Sequence, residues 1–541
     1  MKPAWAGASF GPLPDRLMAS TEPKPVEAPM APSILYREGV GAPSAPLEDR
    51  RFAVDLNLDQ VFDSVNAGRE ELDLLPVYYS PLDNLDDVAY RHEVLGDLER
   101  PPCLAAVRAF GQAMHQVRDV LGAMRSLHNR WQQRRLFVDA VTAYCGAVSS
   151  LASALSELGP RSRAMGAFSE YVSHYQASPG FAALVDEAAE IVSALGTVRY
   201  VLQLRGTRVT VSAYQGEPDY AGEVEAAFAK FREGAVKDYT AAFRSPLDMA
   251  YVEGQVLDLV ARLNPGPFGA LERYFGDHQD FVDPAISAFE RDSQFYQAYL
   301  GHIEPLRAAG LAFCYPSLCI APERVWAKDA FDLALATKTV LPGASGSTVV
   351  TNDLDLAAQE RVVVVTGPNS GGKTTFARAF GQVHYLASLG LPIPAREANL
   401  VLADIVATSF GQAEHLDTGR SHLEEELVHF RQVIEQASPR TVVVMNESFS
   451  STMLRDAAVV GKAVLAQLVR RGALCVFVTF VDELASANET TVSMVATVDA
   501  DDPVMRTYKV VRKPPEGRAY AAAVARRYGL TYRAVGERVG Q

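Results

Sequence analysis

Residues Gly367-Pro368-Asn369-Ser370-Gly371-Gly372-Lys373-Thr374 follow the pattern G-x-x-x-x-G-K-[ST] in full. The glycines let the backbone curl until successive N–H groups point inward. Those groups, with the positive end of a following helix, cradle phosphate oxygens. Lys373 would reach the β- and γ-phosphates of a nucleotide, and the Thr374 hydroxyl would ligate Mg²⁺. Thr375 extends the candidate nucleotide-binding set to residues 367–375. ATP and Mg²⁺ are the cofactors this predicts. Further along, Met445-Asn446-Glu447 ends an apolar run. Many phosphate-loop ATPases carry an acid there that holds Mg²⁺ through water, then a glutamate that polarises the attacking water. Asn446 is neutral and would meet the metal only through water, whereas Glu447 keeps its carboxyl group. Glu447 and Lys373 are therefore the candidate catalytic residues of an ATPase. The weakened metal shell also fits a site that binds ATP and hydrolyses little.

Such a loop needs a strand before it and a helix after it. Val362-Val363-Val364-Val365 is a short β-branched run that reads as a buried parallel strand, and Thr375–Ala387 is compatible with a helix. Val442–Met445 and Leu474–Val478 repeat the strand pattern with helical segments between, which predicts an α/β domain on a parallel sheet. Upstream the chain is mostly helical. After Pro101–Pro102, the residues Val107, Phe110, Met114, Val117, Leu121 and Met124 recur at alternating spacings of three and four, the seam of a long helix packed on another. Further helices are predicted over 136–158, 181–198, 222–243, 247–263 and 284–309. The alternating run Arg208–Tyr214 reads as a strand. Residues 1–48 are rich in proline, and that composition predicts an extended or disordered tail. The expected division is thus a tail over 1–48, a helical core and lever domain over 49–330 with a small β insertion near 199–220, and a phosphate-loop ATPase domain over 331–541.

The chain of 541 residues is 48% hydrophobic and 21% charged, ordinary for a folded soluble protein. Its net charge of −14 argues against coating of nucleic acid by the whole surface, while leaving room for a local basic patch. Five cysteines without a C-x-x-C pair read as free thiols in a reducing compartment rather than a zinc site. The first 30 residues lack the basic start and apolar core of a signal peptide, and no window approaches 18 uninterrupted apolar residues, so a cytoplasmic protein with no membrane partner is expected.

The segment Thr366–Thr374, TGPNSGGKT, resembles the motif of the MutS family of ATPases. So do LASLGLPIPA (Leu386–Ala395), NESFSSTMLRDA (Asn446–Ala457) with Thr452 and Asp456 at matching positions, and YKVVRKPPEGRAYAAAVARRYGL (Tyr508–Leu530). Upstream, Pro81–Leu98 and Phe295–Gly310 resemble that family's lever and core helices. The resemblance implies an ABC-type nucleotide domain that dimerises head to tail. Gly419, Arg420 and Ser421 would then be the signature that completes the partner's site in trans, with Glu426 as the acid on the following helix. It implies a homodimeric, nucleotide-gated clamp on DNA in repair or recombination. With helices predicted almost from residue 50, no N-terminal mismatch-reading domain is expected, and any DNA binding is expected to be structure-selective or non-specific. Phe480 stands where the family has a histidine, and Val349 or Val350 where an aromatic would stack on adenine. A nucleotide-gated scaffold with little turnover is the alternative. For DNA phosphates, Arg125, His128, Arg130, Arg134 and Arg135 form one basic cluster, and Arg199–Tyr214 offers arginines with Tyr200 and Tyr214 for stacking.

Overall fold

A run of valines has no polar face to show to water, and the strand it forms is covered on both faces. In the computed structural model every residue of Val362–Val365 is fully buried. The residues described are 32–38, 50–217, 251–321, 324–340, 349–411, 422–486, 488–499 and 505–515, with Leu530 and Val535. Among them the strands are β1 (Tyr200–Arg205), β2 (Arg208–Ala213), β3 (Ser317–Cys319), β4 (Val325–Ala330), β5 (Asn352–Leu356), β6 (Val362–Thr366), β7 (Glu397–Val401), β8 (Val406–Phe410), β9 (Val442–Asn446), β10 (Leu474–Val478), β11 (Thr491–Val498) and β12 (Arg506–Arg512).

One sheet runs β12-β11-β6-β10-β9-β8. Neighbours from β11 through β8 are parallel, and β12 closes the edge antiparallel to β11. The fold is therefore α/β, but the sheet is mixed rather than wholly parallel. The chain needs no crossover to return beside β11, so a hairpin forms there. A second sheet, β3-β7-β4-β5, has no counterpart in the sequence reading, because its strands are short and half-exposed. Strands β3 and β4 precede residue 331, so this sheet draws on residues from both sides of that border.

The helical half matches the periodicity well. Pro101–Ser126 and Arg130–Leu158 form an antiparallel pair, and Val107, Phe110, Met114 and Val117 of the seam are buried. Side-chain oxygens start several helices: Asn129 accepts from the amides of Trp131 and Gln132, and Asp283 from those of Ala285 and Ile286. The segment predicted over 284–309 is Pro284–Ala308, and the strand predicted over Arg208–Tyr214 is β2, paired with β1 through a turn at Gly206–Thr207. The helix predicted over 222–243 lies outside the described residues. By length and composition alone Arg130–Leu158 could cross a membrane, although 56% of its most apolar window is buried inside the fold. Counting uninterrupted apolar runs passes over it, since scattered polar residues break them.

Residues 32–38 correct one expectation. Within the stretch read as a tail, Ile34 and Leu35 are buried, Ser33 donates to Asp292, and Arg37 pairs with Asp86 and Asp87. Ile34-Leu35-Tyr36 is an apolar triplet that the average composition of a proline-rich stretch conceals.

A buried histidine, His384, and a half-buried one, His92, give the fold an acid limit. His384, fully buried, faces the Phe380 carbonyl through Nδ1 and has no partner at Nε2, and burial lowers its pKa to about 4. Burial takes His92 to about 4 as well. Each folded-state value lies below the unfolded one, so the stability these groups contribute is complete above pH ~6.5 and is lost as pH falls toward ~4. The loss from His384 alone is on the order of 3 kcal/mol. Urea midpoints at pH 7 and pH 4.5 should therefore differ strongly, and a His384→Leu variant should show a smaller difference.

Candidate functional site

Strand β6 ends at Thr366, and after six intervening residues the helix Lys373–Ser388 begins with Gly372 as its N-cap. The loop between them requires glycine at Gly367 and Gly372 by their positive φ, and at Gly371 because a Cβ there would lie 2.9 Å from the Pro368 carbonyl oxygen. Gly367 has φ +120°, and a Cβ there would lie 2.8 Å from the Ala496 carbonyl oxygen of β11. Gly372 has φ +91° and lies against the backbone of Tyr508. Ser370 also takes a left-handed φ of 57°. Left-handed residues in a short loop turn successive amides toward one side, and the helix adds its positive end there.

Lys373 is 4% exposed. Its ammonium donates to the carbonyls of Gly367 and Pro368, each at 3.0 Å, and lies 4.9 Å from the centroid of the Phe480 ring. Burial holds its pKa below the ordinary lysine value; the nearby Glu447 opposes this and Arg506 adds to it. Phe480 itself is 48% exposed at the rim. The Thr374 hydroxyl donates to Oδ1 of Asn446 at 2.9 Å. The sheet order brings them together, since β9 and β6 flank β10 and their C-terminal ends lie side by side.

Glu447 follows directly on β9 with φ 54°, its amide donating to the Val478 carbonyl of β10 at 2.9 Å. A non-glycine residue is strained there and persists only when its surroundings fix it. Two contacts do so. The buried Glu426 carboxyl accepts from the Phe449 amide at 3.0 Å, and Ser448 donates to the Ser409 carbonyl at 3.0 Å. Glu426 thus holds the turn that carries Glu447.

A cavity of about 460 Å³ opens over residues 369–375 and is bounded by Glu447, Val349, Val350, Asn352 and Tyr508. Tyr508 went unrecognised as a site residue in the sequence. It sits on β12 with φ 58°, fixed by Asn352, which donates to the Tyr508 carbonyl at 3.1 Å and accepts from the Val510 amide at 2.7 Å. Only the return of β12 beside β11 brings its ring to the loop. Arg506 of the same strand donates to the Asn369 carbonyl at 3.2 Å. An anionic, polyoxygenated group of moderate size fits this cavity: loop amides and a buried ammonium, a carboxyl group beside them, and Tyr508 with two valines on its walls. A hydroxyl and an amide oxygen at its floor can share a hydrated cation held mainly by the ligand's own oxygens. Among the described residues no cluster of three metal-ligating side chains exists to hold one unaided.

The remaining candidates are scattered. Gly419, Arg420 and Ser421 lie outside the described residues. In the basic cluster, Arg134 pairs with Glu272 at 3.2 Å and stacks on Phe275, Arg135 pairs with Asp139, and Arg130 lies over Trp131. Those arginines are engaged by the helical fold. Hairpin β1–β2 leaves Tyr200 and Tyr214 exposed.

Fold and site together define an α/β protein with a glycine-rich loop at the C-terminal end of its sheet strand β6 and a large helical half. Residues 363–538 match the family model of MutS domain V. The chain is 38% identical over 135 residues to the DNA mismatch repair protein MutS of Granulibacter bethesdensis, covering 25% of this chain and 15% of that one. It is 32% identical over 188 residues to the endonuclease MutS2 of Gemmatimonas aurantiaca, 34% of this chain and 23% of that one. With the DNA mismatch repair protein Msh3 of Mus musculus it shares 34% over 131 residues, 24% of this chain and 12% of that one. Residues 363–538 are thus similar to domain V of MutS-family proteins, and these alignments span less than a quarter of each relative.

Proposed function

We propose that this chain is a P-loop ATPase of the ABC type whose nucleotide state governs a DNA-binding homodimer acting in repair or recombination. The observation that carries the reading is the convergence of Lys373, Thr374 and Glu447 on the cavity over the loop, with Asn446 hydrogen-bonded to Thr374. ATP fits the residues present. Lys373 would exchange its two loop carbonyls for phosphate oxygens, and Thr374 would turn its oxygen to Mg²⁺, which neutralises phosphate charge when bound. Glu447 would orient the attacking water from its fixed, strained position. Tyr508 would stack on the base in place of the aromatic missing at Val349 and Val350. We assign the nucleotide domain to residues from about 331 onward and the lever to the helices before it. Gly419, Arg420 and Ser421 would complete the site of a second copy.

The test is phosphate release with and without branched, mismatched and plain duplex DNA. Turnover stimulated by DNA, with binding that weakens steeply with salt, is expected. A protein that neither turns over nor binds any of these DNAs ends the reading. A second reading, a nucleotide-gated scaffold with little turnover, is favoured by the neutral Asn446 and by Phe480, whose ring offers no hydrogen bond beside Lys373.

For the base, we expect Tyr508→Ala to weaken ATP and ADP alike by roughly fivefold, about 1 kcal/mol of lost stacking. Inorganic triphosphate, which has no base, should bind both proteins equally. An equal loss for triphosphate would show that Tyr508 serves the loop and not the base.

A further inference from the structure

One face of the Lys373–Ser388 helix is given over to holding another part of the chain. Arg378 donates to the Asp55 carbonyl at 2.9 Å, Gln382 to the Leu56 carbonyl at 2.8 Å, and the Tyr385 hydroxyl to the Tyr78 carbonyl at 2.9 Å. At the helix end the Leu82 amide donates to the Ser388 carbonyl at 2.8 Å. Positions 378, 382, 385 and 388 are spaced four, three and three, so they lie on one side of the helix. Every partner on the other side is a main-chain atom of residues 55–82, which therefore lie along this helix as a strap.

The strap also enters the sheet. Gly381 has no side chain, and a Cβ there would sit 2.6 Å from a methyl of Leu56 and 3.2 Å from one of Val444 in β9. Leu56, fully buried, thus packs on the helix that begins at Lys373 at the point where that helix meets the strand that ends at Asn446. Thr408 of β8 donates to the Asp55 carboxylate at 2.6 Å, and Gln382 also joins Asp332 and the Leu333 amide. On its far side the strap grips the helical half. Phe62 stacks on Tyr78, and the Tyr78 hydroxyl donates to the Phe295 carbonyl of the Pro284–Ala308 helix at 2.8 Å.

We propose that the strap, residues 51–82, transmits the state of the phosphate loop to the Pro284–Ala308 helix, with Arg378, Gln382 and Tyr385 as its positioning residues. The proposal rests on the nucleotide reading above and names the element that carries its regulation. The helix that bears Lys373 cannot shift without carrying the strap, because bonds along its outer face and the buried Leu56 join the two. The Tyr78–Phe295 contact is fully buried, so the shift passes on through packed atoms.

The test is amide hydrogen exchange on the full chain, with and without a non-hydrolysable ATP analogue and Mg²⁺. In the wild type, protection should change over 367–376 and also over 58–66 and 290–300. In an Arg378→Met, Tyr385→Phe double variant, analogue affinity should stay within about threefold and the change over 367–376 should persist, while the change over 58–66 and 290–300 falls by at least half. Tyr385→Phe alone keeps the ring packed on Phe52 and Phe62 and removes one hydroxyl; if the double variant fails to fold, it should still reduce the distant change by at least a third. An undiminished response at 290–300 in the variant overturns the proposal, as does a wild type whose loop responds while the strap does not. A wild type silent at 367–376 overturns the nucleotide reading and this proposal with it, an outcome distinct from the other two.

Discussion

Glu447→Gln should lower phosphate release by at least about 100-fold while leaving ATP affinity within about threefold of wild type. Loss of a positioned general base removes roughly two to four orders of magnitude from a rate, and glutamine keeps the size and one acceptor oxygen but cannot take the proton. Binding should survive because Glu447 contributes no donor to the anion. The backbone should survive too, since its left-handed turn is held by Glu426, Ser448 and the Val478 carbonyl rather than by the Glu447 side chain. ATP that is bound and not cleaved should accumulate with any closed dimer, so light scattering should report a larger species. Asn446→Asp works the other way. It restores a charge beside Thr374, and turnover at low Mg²⁺ should rise, with the effect fading as Mg²⁺ saturates. A wild type with no turnover at saturating Mg²⁺, matched by an identical Glu447→Gln, would remove Glu447 from catalysis and favour the scaffold.

Lys373→Ala should weaken ATP at least about tenfold, about 1.4 kcal/mol or more. Lys373 is the side-chain charge inside the loop, and it is buried against two carbonyls and a ring, so it meets a phosphate without first shedding a full water shell. Truncation also leaves the Gly367 and Pro368 carbonyls without their donor. The fold itself should change little in stability, because the variant no longer buries a charge. A fluorescent ATP analogue that titrates both proteins alike would withdraw the assignment.

Local chemistry was legible because it is written in consecutive residues. The segment 367–374 specifies a curled loop by its glycines, and the valines of β6 and β9 specify buried strands with no polar face. The seam from Val107 to Met124 specifies a long packed helix. Composition averaged over a window was a poorer guide, since it hid Ile34 and Leu35 inside a proline-rich stretch.

By itself, then, the sequence determined the glycine-rich loop, its lysine and threonine, the carboxyl group after the second apolar strand, the long helices and the likeness of residues 363–538 to MutS domain V. Tertiary structure decided which distant residues share the cavity. Sheet order, which no local pattern encodes, places Asn446 within a hydrogen bond of Thr374. The antiparallel return of β12 carries Tyr508 to the loop beside Gly372, and the parallel pairing of β11 with β6 leaves no room for a side chain at Gly367 against Ala496. The strap over the Lys373–Ser388 helix could not be read from sequence at all. Its side of each bond to that helix is a main-chain carbonyl or amide, and every residue type but proline, which lacks the amide, supplies both.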